Sequence, residues 1–170
     1  SSLLVVGSAN IDHVFAVEHF VRPGESLMVP DYSKHAGGKG LNQAIAARRA
    51  GASVAFGGRI GADGGMLRSL LAGEGIDLSL LAEDDGATGH AIIQVQAERG
   101  ENAILVHPGA NRRVSDDEAR QALAGRARGS WLVLQNEISG MEALLRGARE
   151  QGLRVVLNPA PISDDVAQLP

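Results

Sequence analysis

Ala36-Gly37-Gly38-Lys39-Gly40-Leu41-Asn42-Gln43-Ala44 sets three glycines around one lysine, with an asparagine two residues further on. Glycine has no Cβ, so backbone N–H groups in such a segment can come close to a ligand. A helix starting near Gly40 would turn its unpaired N–H groups and the positive end of its dipole toward the same spot. Lys39 adds a full charge, and Asn42 adds a donor and an acceptor one turn in. The alternative is a flexible glycine-rich loop before an amphipathic helix. The spacing is neither the phosphate-binding G-x-x-x-x-G-K-[ST] loop nor the dinucleotide G-x-G-x-x-G fingerprint. Of the 16 basic Lys and Arg side chains, only Lys34 and Lys39 are lysine. Lysine at the centre of the glycine cluster therefore points to a compact point charge rather than a planar guanidinium fork.

Two further groups of polar residues stand beside apolar runs. Leu3-Leu4-Val5-Val6-Gly7 has the composition of a buried parallel strand, and Asn10 and Asp12 follow it closely. Trp131 to Leu134 is a second such strand, with Gln135, Asn136 and Glu137 just past it. In open α/β sheets, ligands bind beyond the carboxyl ends of the strands. Asn10, Asp12 and Glu137 are thus candidate ligand contacts. Turn chemistry is the alternative for Asn10 and Asp12, and a helix N-terminal acid is the alternative for Glu137.

The elements that must position these residues follow from the pattern of the chain. The glycine segment leads into a small-residue helix to about Ala50, with Gly51 as its stop. Ser53–Phe56 has the pattern of a buried strand, and a second glycine-rich stretch, Gly57–Gly65, follows it. Met66–Ala72 has the pattern of a helix, for which Asp63 is the expected N-cap. Ser115 and Glu118 have the spacing of a capping box opening another helix. A further helix is expected over Gly140–Gln151, and another strand over Arg154–Leu157. Val14–Val21 and Ser26–His35 are two extended segments around a Pro23-Gly24 turn. Gly89–Ala97 and Asn102–His107 form a similar pair around a loop containing Gly100. These antiparallel excursions break the βαβ rhythm, and together they predict a small four-stranded sheet whose apolar face needs covering.

Composition narrows the function classes. At 170 residues and 44% hydrophobic content the chain can build a core, and 3% aromatics means that Ala, Val, Leu and Ile build it. A net charge of −4 without a basic stripe argues against a nucleic-acid partner. With no cysteine there is no disulfide framework or thiolate metal site. The five histidines are scattered, without metal-ligand spacing. No apolar run has the length of a membrane span, so a cytoplasmic protein with no membrane partner is the expectation.

Gly7–Asp12, Gly37–Ala44 with Gly51 and Gly61 beyond it, Leu134–Glu137 and Leu157–Pro161 together resemble the ribokinase branch of the PfkB sugar-kinase family, which also includes fructokinases and adenosine kinases. The resemblance runs over essentially the whole chain. Two positions depart from the family pattern, Met66 where glycine is usual and Leu41 where ribokinases usually have alanine.

The resemblance implies a three-layer α/β/α domain with a mostly parallel central sheet and a small β-sheet lid. The lid strands would lie approximately within 13–35 and 89–107, and a homodimer through the lid is the expected assembly. Residues 1–170 would be the N-terminal part of one such domain. The implied reaction is transfer of the ATP γ-phosphoryl group to the primary 5-hydroxyl of D-ribose, with Mg²⁺ and a monovalent cation such as K⁺. By matching position, Asn10, Asp12, Gly38, Lys39, Asn42 and Glu137 would hold the sugar. The family's second signature, Gly-Ala-Gly-Asp, supplies the base and the anion hole, and it is not found in this sequence. No catalytic residue is therefore assigned within these residues, and the chain alone is expected to be inactive. A non-catalytic sugar-binding or regulatory module, a kinase for a related sugar or nucleoside, and a fragment that only dimerises through its lid are the competing readings.

Overall fold

The computed structural model describes residues 2–170. Strand β1 (Ser2–Val6) is the centre of a five-stranded sheet with β4 (Ser53–Gly61), β5 (Asp77–Asp84), β8 (Trp131–Gln135) and β9 (Arg154–Asn158), in the order β5-β4-β1-β8-β9. Every pairing in it is parallel. Helices α1 (Lys39–Arg49) and α2 (Gly65–Gly73) cover one face, and α3 (Asp116–Leu123) and α4 (Met141–Gln151) cover the other. The alternation of β1 explains both layers. Leu4 and Val6 pack with Leu123, Leu132, Leu134 and Leu144, whereas Val5 packs with Leu41, Phe56, Leu67 and Leu71 on the opposite side. A strand buried on both faces reads as a continuous apolar run, which is the pattern of Leu3–Val6.

A second sheet stands apart from the first. It contains β2 (Asn10–Ala16), β3 (Asp31–Gly37), β6 (Gly89–Gln96) and β7 (Glu101–His107), in the order β3-β2-β6-β7. The outer pairs are antiparallel, and the central β2–β6 pair is parallel. This three-layer domain with its separate mixed sheet is the expected architecture. Both faces of the small sheet expose apolar side chains: Leu105 is 71% accessible on one, and Val106 61% on the other. Among the described residues no helix is long and apolar enough to cross a membrane.

Several local expectations need correction. Pairing in the small sheet starts at Asn10 and ends at Gly37, and residues 17–30 lie outside the strands. They close on a turn in which the Glu25 N–H donates to the Arg22 carbonyl (3.0 Å), with Gly24 at φ 78°. That positive φ is what Pro-Gly at the centre of a type II turn provides. Gly57, Gly58 and Gly61 belong to β4, not to a loop after it. Gly61 is glycine because an added Cβ would lie 1.9 Å from the Gly86 carbonyl oxygen. Strand β5 has no counterpart among the sequence-based expectations. Gly64 holds the N-cap position of α2, and Asp63 instead accepts from the Thr88 N–H (2.8 Å) and hydroxyl (2.6 Å). Thr88 is fully buried, so its two donors need this carboxylate more than the helix end does. Ser115 and Glu118 do form a capping box at the start of α3.

Leu144 is fully buried in the α3–α4 layer, and truncating it leaves a cavity between helix and sheet. Leu144→Ala is expected to lower unfolding stability by about 2–5 kcal/mol, measured by urea titration.

Candidate functional site

The site is built where β1, β8, α1 and the small sheet meet. The link from β3 to α1 is the single residue Gly38, at φ 93°. An added Cβ there would lie 2.7 Å from the Ser8 carbonyl oxygen, so only glycine lets the helix start this close to the end of β1. Gly40 is pressed equally hard, 2.6 Å from the backbone of Gly7 and Ser8 by the same construction.

Gly38 has no side chain with which to cap α1, and the first turn of the helix holds no acid. The capping groups arrive from the sheet. Glu137, two residues beyond β8, accepts from the Lys39 backbone N–H (3.2 Å) through Oε2 and from the Lys39 ammonium (2.7 Å) through Oε1. The Ser8 hydroxyl donates to Glu137 Oε2 and accepts from the Gly40 N–H (3.3 Å). The Leu41 N–H donates to the Ser8 carbonyl (2.9 Å). The N–H groups of Lys39, Gly40 and Leu41 are therefore occupied by the protein itself, and the expectation that free helix N–H groups face the ligand is corrected. Lys39 and Glu137 side chains face the site in their place.

Burial alone would raise the Glu137 carboxyl. The hydrogen bonds from Lys39 and Ser8, with the Lys39 charge, outweigh it and hold the group below its ordinary value. Its folded-state pKa is lower than its unfolded one, so the stability it contributes is present above the unfolded pKa and lost as pH falls through the folded value.

Asn10 is buried, and its Oδ1 accepts from Asn111 Nδ2 (2.7 Å). Asn111 Oδ1 in turn accepts from the Ala9 N–H (3.1 Å). Asn10 and Asp12 are strand residues, not turn residues, and lie on the same face of β2. The Asp12 carboxylate lies against Gly37, where an added Cβ would come within 2.1 Å of it. Its pKa is raised, first by burial. His35 and His13 oppose this, and the like charge of Glu137 adds to it.

A cavity of about 320 Å³ opens beside these groups, lined by Ser8, Asn10, Lys39, Asn111, Arg112 and Glu137 among others. That is within the range of about 300–1,000 Å³ that holds small ligands. A larger hollow of about 760 Å³ lies along α4 and β9, away from all of these residues. The polar convergence makes the smaller cavity the candidate site. Asn10, Lys39 and Glu137 line it directly. Gly38 is not among the lining residues; it sets how close α1 comes to the Ser8 backbone. Asp12 sits one strand pleat away, and Asn42 is exposed in the first turn of α1; neither is among the lining residues. Ser8, Asn111, Arg112 and Asn136 are lining residues that sequence reasoning did not single out. Ser8 and Asn136 obey the strand-tip rule that found Asn10 and Glu137. Asn111 ends the Pro108-Gly109-Ala110-Asn111 stretch, whose composition is only that of a turn. Among the described residues, no three His, Asp or Glu side chains are placed to hold a metal ion.

Comparison with known proteins identifies the family and the fold. A family model described as pfkB family carbohydrate kinase matches residues 1–169. The ribokinase of Haemophilus influenzae is 43% identical over 176 residues, covering 99% of this chain and 57% of that protein. A Cryptococcus neoformans ribokinase solved in complex with ADP superposes with a TM-score of 0.80 at 40% identity, covering 96% of this chain and 50% of that one. An Arabidopsis thaliana ribokinase complexed with ribose and ATP gives a TM-score of 0.77 at 31% identity, covering 93% and 53%. The chain thus spans about half the length of the relatives it matches.

The raised pKa of Asp12 has a direct consequence for stability. Its ionised form is disfavoured in the folded chain, so it costs stability at pH values above its folded pKa. The cost disappears below the ordinary aspartate pKa of about 3.9, where both states are protonated. Asp12→Asn is expected to be more stable to urea than the parent at pH 7. The gain should shrink as the titration is repeated toward pH 4; a gain that grows toward low pH contradicts the assignment.

Proposed function

The chain belongs to the pfkB family of carbohydrate kinases, and from that premise we propose that it carries the sugar site and lid of a ribokinase, an enzyme that transfers the ATP γ-phosphoryl group to the 5-hydroxyl of D-ribose. The observation that carries this reading is the Lys39–Glu137 pair facing one small cavity together with Asn10. A pentose is neutral and covered in hydroxyls, so recognition must come from paired donors and acceptors. Glu137 accepts from hydroxyls, the Lys39 ammonium donates, and Asn10 does either. Hydrogen bonds to charged partners contribute about 1.5–3 kcal/mol each, enough for two or three to fix one orientation of the sugar.

Asp12 is proposed as a sugar contact from the lid side. Burial makes its carboxylate unstable without a partner, and hydroxyl donors from a sugar supply one. Gly38 brings the backbone close, and Asn42 is proposed to reach the sugar when the lid is drawn over it. In the reaction the sugar hydroxyl gives up its proton, a bond forms between its oxygen and the γ-phosphorus, and the bond from that phosphorus to ADP breaks, releasing ADP and the proton. Such transfers depend on positioning and on charge neutralisation around the phosphate. The residues described here serve the first requirement by holding the acceptor hydroxyl and excluding water. ATP, Mg²⁺ and K⁺ are proposed for the whole protein. The donor groups described here make no metal site, and no step is assigned through one. A homodimer through the lid is proposed on the same footing, supported by the exposed apolar side chains of β6 and β7.

Asp12→Ala and Lys39→Ala, made in the intact protein, are each expected to weaken ribose binding at least tenfold, about 1.4 kcal/mol, by titration calorimetry. Unchanged affinity in both variants overturns the sugar-site reading. Ribose binding without phosphoryl transfer from ATP would favour a non-catalytic module instead.

A further inference from the structure

One charge in the cavity is unaccounted for by a neutral sugar. Lys39 is matched by Glu137 at 2.7 Å, so that pair is close to electrically balanced. Arg112 also lines the cavity. Its neighbour Arg113 forks onto Asp84 with Nε at 2.7 Å and Nη2 at 2.8 Å, whereas Arg112 has no ion-pair or hydrogen-bond partner among the described residues. Two adjacent arginines therefore have opposite fates. One is clamped on a carboxylate, and the other borders the cavity without a protein partner among the described residues.

The backbone beneath Arg112 is anchored. It lies in a 3₁₀ turn, Gly109–Arg113, whose Ala110 N–H donates to the Ala87 carbonyl (3.0 Å). The preceding Asn111 is 2% accessible and binds Ala9 and Asn10 through its side chain. The Asn111 carbonyl accepts from the Ser139 N–H (3.1 Å). Arg112 thus stands on a base tied to three separate segments, in the lining of the same cavity as Asn10, Lys39 and Glu137.

A guanidinium presents paired N–H donors in a plane, the geometry that suits two oxygens of a phosphate or carboxylate. Hydroxyls of a neutral polyol do not call for it. We propose that Arg112 is an oxyanion-binding residue of the sugar pocket, receiving a phosphate or carboxylate group carried by the sugar or delivered to it. The placement of the cavity as a sugar site rests on the function proposed above; the unpaired state of Arg112 beside it does not. Two sources share this chemistry: the phosphoryl group once it has been transferred to the sugar, and a carboxylate on an oxidised sugar.

The test is calorimetry on the intact protein and on Arg112→Ala and Arg112→Lys, titrated with D-ribose, D-ribose 5-phosphate and D-ribonate. Arg112 is exposed, so neither variant is expected to disturb folding. Arg112→Ala should weaken one anionic sugar at least tenfold more than it weakens ribose, and Arg112→Lys should recover only part of that difference. A loss confined to ribose 5-phosphate identifies the transferred phosphoryl group as the ligand; a loss confined to ribonate identifies a sugar acid. If ribose fails to bind while an Arg112-dependent anionic sugar binds, the ribose reading falls and this proposal stands. Anionic sugars that bind equally to parent and Arg112→Ala, or that bind to neither, overturn the proposal.

Discussion

The start of α1 depends on a carboxylate that comes from the far side of the central strand. A helix whose N-cap is glycine leaves its first N–H groups without a local partner. Here Glu137 and Ser8 take that place, one from the end of β8 and one from the end of β1. The same carboxylate also fixes the Lys39 ammonium. One part-buried acid thus caps a helix, orients a cation and joins three elements. Its desolvation is offset because every partner it meets is a donor. This constraint explains why the glycines are where they are: without the close approach of Gly38 and Gly40 to the β1 end, the helix could not reach the acid.

The small sheet complements this junction from above. Its β2 strand leaves β1 after only three residues, and its β3 strand returns to α1 through Gly38 alone. Asn10 and Asp12 are carried on the inward face by the alternation of β2, and Asn111 locks Asn10 to the opposite edge of the site. Two sheets of different character therefore share one boundary. The large one is parallel and enclosed, and it contributes its strand tips. The small one is mixed and half-exposed, and it contributes a face.

Much of this was legible in the residues themselves. Leu3–Val6 and Trp131–Leu134 announce buried parallel strands because both of their faces are apolar. Lys39, Asn10 and Glu137 stand out because each follows a strand or a glycine cluster where ligands collect. The capping box at Ser115 is a purely local device, and it formed as written. Features decided at a distance were harder to see. Gly61 in β4 reflects the backbone of Gly86 pressing on it. Asp63 leaves the helix end for Thr88, a partner 25 residues away. Asn111 has the composition of a turn residue, and its buried bond to Asn10 spans 101 residues. The occupation of the α1 N–H groups was hidden for the same reason, since nothing near Gly38 in the chain reveals which acid will reach it.

The central β2–β6 pair of the small sheet carries a kinetic implication. Each flanking ribbon closes between residues near one another in the chain, but Asn10 meets Gly89 only after α1, β4, α2 and β5 have intervened. Contacts of such separation are slow to form, because the entropy of closing the loop must be overcome before any bond offsets it. Packing β4 and β5 beside β1 shortens the effective distance between the two ribbons. Each ribbon can close on its own, and the seam between them is the pairing whose closure the intervening core makes less costly.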